Sequence, residues 1–218
     1  MSQYAANISF LLHKNNLDAA EFSSGLGIKD LARPFPDEIP FIASHFSLTT
    51  DMLLKTDIEL REDQRSKDIK LLICDIDGVM TDGGMYYTEA GDEFKKFNAK
   101  DGLALRRLKK RGVNTGIISH GFSTNLIQRR AERLYIEHVE VSQVPKIETL
   151  KKWCDALKIS PENICFIGDD INDEDIIKAV GFSCCPADAV DAVKNMVNVV
   201  LTKKGGEGCV RELIDLYL

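Results

Sequence analysis

The sequence has no apolar run approaching the ~20 residues needed to cross a bilayer, so no membrane-spanning segment is expected. It has no excess of positive charge: 28 lysines and arginines face 34 aspartates and glutamates, a net of −6. A general nucleic-acid binder would show a basic face, and none is expected here. The N-terminal stretch MSQYAANISFLLHKNN lacks a basic leader and a small-residue cleavage site, which argues against a secretory signal. Six cysteines occur without metal-type pairing, and Cys74, Cys165, Cys184 and Cys185 lie in apolar runs, where a thiol serves as a small hydrophobe. A reduced, cytoplasmic protein is the expectation. What remains is a chain of 218 residues and 44% hydrophobic content, enough for one good core and a small extra module.

From about residue 70 the chain alternates short β-branched runs with amphipathic stretches. IKLLICDI, VNTGIIS, HVEVS, NICFIG, FSCC and VNVVL read as strands. DGLALRRLKKRG, TNLIQRRAERL, KIETLKKWCDALKI, NDEDIIKAV, DAVDAVKNM and GCVRELIDLYL read as the helices that follow them. This rhythm predicts an α/β domain over residues 69–218, a doubly wound parallel sheet covered on both faces. In such sheets ligands bind at the carboxyl ends of the strands. One segment breaks the rhythm. GGMYYTEAGDEFKKFN (83–98) sets aromatic and β-type residues around a turn at Gly91 and predicts a protruding β-hairpin. Residues 1–60 lack the βαβ pattern and predict a small α-helical domain, its short helices separated by Pro34, Pro36 and Pro40. The charged stretch REDQRSKD (61–68) reads as a linker.

The stretch LLICDIDGVMTDGG (71–84) ends a buried strand on Asp75 and Asp77. Their plain reading is a turn. Later strand ends carry Ser119 with His120 beside it, then Lys146, then Asp169, Asp170 and Asp173. The plain readings there are an N-cap, a solvated helix start and an acid-rich helix N-terminus. Doubly wound topology, though, brings all of these loops to one rim. Close carboxylates cannot all stay ionised without a cation, and hard oxygen donors suit Mg²⁺. A carboxylate can attack phosphorus. A second acid two residues on can protonate the leaving oxygen and later activate water. A lysine and a serine can hold the phosphate oxygens.

The segments DIDGVMTDGG, Ser119, Lys146 and GDDINDED resemble the four motifs of the haloacid dehalogenase superfamily of phosphatases. More narrowly, DIDGVMTDGGMYY, FNAKDGLAL, RRAERL, GDDINDEDIIKAVG and GGEGCVREL look like the 3-deoxy-D-manno-octulosonate 8-phosphate phosphatase family, over roughly residues 69–218. The resemblance implies a capless Rossmann-like fold and Mg²⁺-dependent hydrolysis of a phosphorylated 2-keto-3-deoxy sugar acid through an aspartyl-phosphate. It further implies a place in lipopolysaccharide biosynthesis and a homotetramer whose hairpin reaches a neighbour's site. Eight-carbon 8-phosphates and nine-carbon 9-phosphates both stay open as substrates.

By the same resemblance, Asp75 is the nucleophile and a metal ligand, and Asp77 the general acid/base with its carbonyl on the metal. Asp169 is a direct metal ligand, supported by Asp170, while Asp173 orients Lys146 or outer water. Lys146 and Ser119 hold the phosphate. Asp101 and Gly102 match a substrate-loop pattern, and Arg129 and Arg130 are placed to meet a sugar-acid carboxylate. The second motif departs from the family, whose members read Thr-Gly or Ser-Gly and then Arg or Glu. Counting from Gly112 puts Ser119 at the phosphate position, whereas counting back from QRRAERL puts His120 there, so the loop holds one extra residue. Ser119 is preferred because it brings a hydroxyl to the strand end. Phe122 then stands where relatives carry a charged residue facing the substrate.

The N-terminal segment resembles a helix-turn-helix domain of the repressor type, and a DNA-binding regulator with a phosphatase-like sensor is the reading from another class. KDLARPFP stands where the recognition helix should follow, and its two prolines will not support one. Acids also outnumber bases in this segment, against the needs of phosphate contacts. A degenerate scaffold for packing or oligomer contact is the expectation.

Overall fold

A computed structural model of the chain describes residues 2–121 and 124–218. Phe122 lies outside the described residues. The chain divides into two compact units, Met1–Ser66 and Lys67–Leu218.

The first unit is helical: α1 (Gln3–Lys14), α2 (Ala19–Gly25), α3 (Ile39–His45), α4 (Thr50–Lys55) and α5 (Ile58–Ser66). Hydroxyl and carboxylate caps start three of these helices, with Ser2, Asp18 and Thr49 accepting from the first-turn amides of α1, α2 and α4. Tyr4, Ile8, Leu11, Phe22, Ile42, Leu53 and Ile58 form its core. Buried Asn7 holds the unit together by polar means. Its Nδ2 donates to Leu53 O at 2.9 Å and Thr56 O at 2.7 Å, and its Oδ1 accepts from Ile58 N at 3.1 Å. Between Lys29 and Glu38, where a recognition helix would sit, the chain runs in turns. The stretch 61–68, read from its charge as a linker, is helical through Ser66 because Ile58 and Gln64 give α5 a buried side.

The second unit runs β1 (Leu71–Cys74), β2 (Tyr86–Tyr87), β3 (Glu93–Phe94), α6 (Ala99–Lys110), β4 (Asn114–Ser119), α7 (Thr124–Leu134) and β5 (His138–Val141). It continues with α8 (Lys146–Leu157), β6 (Ile164–Ile167), α9 (Glu174–Ala179), β7 (Phe182–Cys185), α10 (Asp191–Lys194), β8 (Val199–Val200) and α11 (Cys209–Tyr217). Six strands form one sheet in the order β5-β4-β1-β6-β7-β8, parallel at every junction. The short apolar runs expected as strands are these strands, and the sheet is the doubly wound α/β arrangement.

Alternation along β1 sends Leu71 and Ile73 to one face, where they pack with Leu150 and Trp153 of α8, Phe166 of β6 and Ile176 of α9. On the opposite face Cys74 lies near Asp101 of α6 and Cys209 of α11. Each fully buried Leu, Ile or Phe of this core contributes about 1.5–3 kcal/mol. All six cysteines are buried and free, as their apolar settings suggest.

The sheet order reverses between β1 and β6, where the chain returns after building β4 and β5 on the other side. A crevice opens at that point beyond the strand ends. The expected hairpin is present as two-residue strands, with Tyr86 paired to Phe94 and Tyr87 to Glu93. Its turn closes through Gly91 N to Thr88 O at 3.0 Å, and the Tyr86 and Phe94 rings stack 5.5 Å apart.

Candidate active site

Asp75 is held by the sheet itself. Its amide donates to Ile167 O at 3.0 Å, extending the ladder one residue past β1. The chain then turns at Gly78, whose φ is +83°. A Cβ there would stand 2.0 Å from an Asp169 carboxylate oxygen, so glycine is what lets the two acidic loops close on each other.

Asp75, Asp77, Lys95, Ser119, His120 and Asp169 line one cavity of about 260 Å³. Asp75 is 6% exposed and Ser119 2%. Ser119 ends β4, and its Oγ accepts from Gly121 N at 3.1 Å. Lys146 opens α8 and is buried, with Nζ 2.9 Å from Asp75 Oδ1 and bonded also to Asp173 Oδ1. Asp173 is fully buried and uses its other oxygen to accept from Asp169 N at 2.9 Å and Asp170 N at 3.4 Å. It thus clamps the lysine to the loop after β6. Asp170 is exposed and caps Ile171 N at 2.7 Å, an ordinary helix-start acid in its bonding.

Charge is crowded here. Burial pushes Asp75 up to about 6 against the pull of Lys146, and Asp173 adds to the rise. Asp169 is pushed up to about 8, by burial first and then by Asp75, Asp173 and Asp170. Asp75, Asp169 and Asp173 each bring a carboxylate oxygen within 4.8 Å of the others. Both oxygens of Asp173 are engaged, so Asp75 and Asp169 keep acceptor capacity for a cation. An all-oxygen donor set fits a hard divalent ion, whose charge would remove the repulsion that raises both acids.

Lys95 carried no expectation, yet its side chain is 2% exposed and its Nζ lies 2.6 Å from Asp77 Oδ1 and 2.7 Å from Glu93 Oε1. The available signal is alternation: Glu93 and Lys95 flank Phe94, which is 52% exposed, so the two charged residues share the other face of the hairpin strand.

Asp101, Gly102, Arg129 and Arg130 do not line that cavity themselves. Asp101 is 1% exposed and accepts from Arg211 N at 2.7 Å, tying α6 to α11. Gly102 is packed against Arg130, whose guanidinium lies 5.0 Å from the Phe97 ring centre and donates to Asn98 O at 3.3 Å. Arg129 is exposed and lines, with Arg130 and Arg133, an adjoining cleft that shares Glu93 and Lys95 with the first cavity. In the loop KKGGEG (203–208) three amides are taken by groups elsewhere in the protein. Lys203 N donates to Glu212, Gly205 N to Asp188 and Gly206 N to Val79 O, at 2.8–2.9 Å.

Residues 117–213 match the model of the haloacid dehalogenase-like hydrolase family. The 3-deoxy-D-manno-octulosonate 8-phosphate phosphatase of Yersinia pestis is 39% identical over 155 residues, 71% of this chain and 82% of that protein. The chain belongs to that phosphatase family. The crystal structure of the Yersinia pestis enzyme superposes on this phosphatase with a TM-score of 0.69 at 38% identity, covering 71% of this chain and 83% of that one. The Moraxella catarrhalis enzyme, solved in complex with magnesium, phosphate and a KDO molecule, gives 0.69 at 32%, covering 73% and 90%. The capless haloacid dehalogenase fold and the phosphatase class read from the motifs therefore hold. Among its described residues, no helix of this phosphatase is long and apolar enough to cross a membrane.

Proposed function

We propose that this phosphatase hydrolyses the phosphate ester of a 2-keto-3-deoxy sugar acid, 3-deoxy-D-manno-octulosonate 8-phosphate, with Asp75 as nucleophile. The observation that carries this reading is the convergence of Asp75, Asp77, Ser119 and Asp169 on one cavity, with Lys146 Nζ 2.9 Å from Asp75. Asp75, fixed by the sheet ladder, attacks phosphorus and forms an acyl phosphate while the sugar oxygen leaves. Asp77 donates a proton to that oxygen, then takes one from the water that cleaves the acyl phosphate. Lys146 and the Ser119 hydroxyl bind the non-bridging oxygens, and Asp173 holds the lysine in place.

Asp75 and Asp169 would hold Mg²⁺ through their carboxylate oxygens; the Asp77 carbonyl would join them, and Asp170 would support the site. When bound it supplies positive charge that keeps both carboxylates ionised and offsets the phosphate. The enzyme works in the cytoplasm, on a precursor of lipopolysaccharide, as a homotetramer. Exposed Met85, Tyr87 and Phe94 on the hairpin are the apolar surface that supports such an assembly. The N-terminal helical domain serves as a scaffold; its net acidity and the turns at 29–38 favour this over DNA reading.

The test is phosphate release with Mg²⁺ from eight- and nine-carbon keto-deoxy sugar acid phosphates and from simple sugar phosphates. The eight-carbon ester should be turned over fastest, and Asp75→Asn should abolish turnover. Undiminished release by that variant refutes the nucleophile.

A further inference from the structure

His120 follows Ser119 at the end of β4 and touches two other loops of the rim. Its Nε2 lies 2.9 Å from Val144 O; a carbonyl only accepts, so Nε2 carries the proton. Nδ1 is then bare and accepts from Asn172 Nδ2 at 3.3 Å. The His120 carbonyl accepts from Gln143 Nε2, and next to it Ser142 N donates to Ser119 O at 3.1 Å. Val144 stands two residues before Lys146, and Asn172 one residue before Asp173. The ring therefore meets both loops that carry the buried ion pair, from the loop that carries the phosphate-facing hydroxyl.

We propose that His120 is a positioning residue: its neutral ring joins the Ser119 loop to the loops of Lys146 and Asp173 and sets the spacing of the phosphate-binding groups. This rests on the phosphatase reading above. Three loops leaving twisted parallel strands have no common backbone ladder beyond the strand ends, so side-chain bonds must hold their separation. Reaction rate is sensitive to that separation, since a misplacement of about 1 Å can lower it about 10²-fold. The ring lines the cavity, but both of its nitrogens are spent on the neighbouring loops, which makes it a spacer and leaves no ring nitrogen for substrate.

The test uses the full chain with Mg²⁺, comparing His120→Ala, His120→Gln, Asn172→Ala and the double alanine variant. Steady-state constants are measured for p-nitrophenyl phosphate and for the eight-carbon sugar acid phosphate. His120→Ala should lower kcat/KM about 10- to 100-fold on both substrates. His120→Gln, whose amide can still donate to Val144 O, should recover most of that loss. The double variant should be no worse than His120→Ala, because the two side chains act as one unit. A loss confined to the sugar acid phosphate would make His120 a substrate contact and overturn the proposal, as would additive effects or unchanged kinetics. Long-range ¹H–¹⁵N spectra give a readout independent of turnover. The imidazole signals absent from His120→Gln should show a protonated Nε2 and a bare Nδ1, and the opposite tautomer refutes the staple. If His120→Ala does not fold, the Gln and Asn172→Ala variants carry the comparison. Should wild type release no phosphate, the phosphatase reading fails, and the spectra alone then decide for or against the staple.

Discussion

Asp173→Asn tests how the buried lysine is held. In the native chain one Asp173 oxygen takes the Lys146 ammonium and the other takes the amides of Asp169 and Asp170. An asparagine has one oxygen and one NH₂ to offer. Turned one way, its NH₂ faces the ammonium; turned the other, it faces two backbone donors. Either way a fully buried donor loses its acceptor. Breaking a buried ion pair destabilises by about 3–5 kcal/mol when the remaining charge is stranded. Lys146 keeps Asp75 at 2.9 Å, so the expected loss is smaller, about 2–3 kcal/mol. At about 2–4 °C per kcal/mol for a domain of this size, the thermal midpoint should fall by ~4–12 °C. Trp153 is the chain's single tryptophan, 8% exposed in the core of the second unit, so its fluorescence follows that unit alone. Phosphate release should drop together with the midpoint, about 10²-fold, as the lysine shifts toward Asp75. A midpoint within 1 °C of wild type (on the order of the measurement error) with full activity would refute the clamp.

Three further outcomes follow from the charges. Asp75 and Asp169 must be ionised to hold Mg²⁺, and in the metal-free chain burial places them at about 6 and about 8. Mg²⁺ binding should therefore release protons and tighten as pH rises through that range, read as a larger Mg²⁺-induced midpoint shift at the upper end; a pH-independent shift contradicts it. Burial pushes Asp101 up to about 6, so the folded chain binds its proton more tightly than the unfolded chain, and this residue's contribution to stability is lost as pH rises from the ordinary carboxylate value to about 6. Asp101→Asn should flatten the midpoint's pH dependence in that window. Lys95→Met leaves Asp77 and Glu93 without their shared cation and should lower kcat/KM about tenfold in the phosphate-release assay.

The two parts of the candidate site were not equally legible. Asp75, Asp77, Ser119, Lys146 and Asp169 each stand at or just past the end of an apolar run or at a helix start, and both signals are local. Lys95 carries only the alternation about Phe94, and Asn172 and Gln143 carry no local mark. Their partners are 18, 52 and 23 residues away, and only the closing of the hairpin and the loops onto the rim brings them together. Asp101 and Arg130 show the converse. Family resemblance marks Asp101 for a substrate loop and Arg130 for a sugar-acid carboxylate, yet one Asp101 oxygen takes an α11 amide and Arg130 meets Phe97 and Asn98. Likewise the charge of 61–68 reads as a linker, yet the chain is helical through Ser66 and Gln64 within it is buried.

By itself, then, the sequence determined the order of strands and helices, the parallel sheet and the acids at its rim. Period-2 and period-3.6 burial are short-range properties, and the topology rules for parallel strands follow from them. Tertiary structure alone decided which polar groups near the rim remain available to a ligand. That choice depends on competition for hydrogen-bond partners across distant loops. It left Asp75 and Asp169 open to a cation, while Asp173, Asp101 and the ring of His120 went to holding the frame.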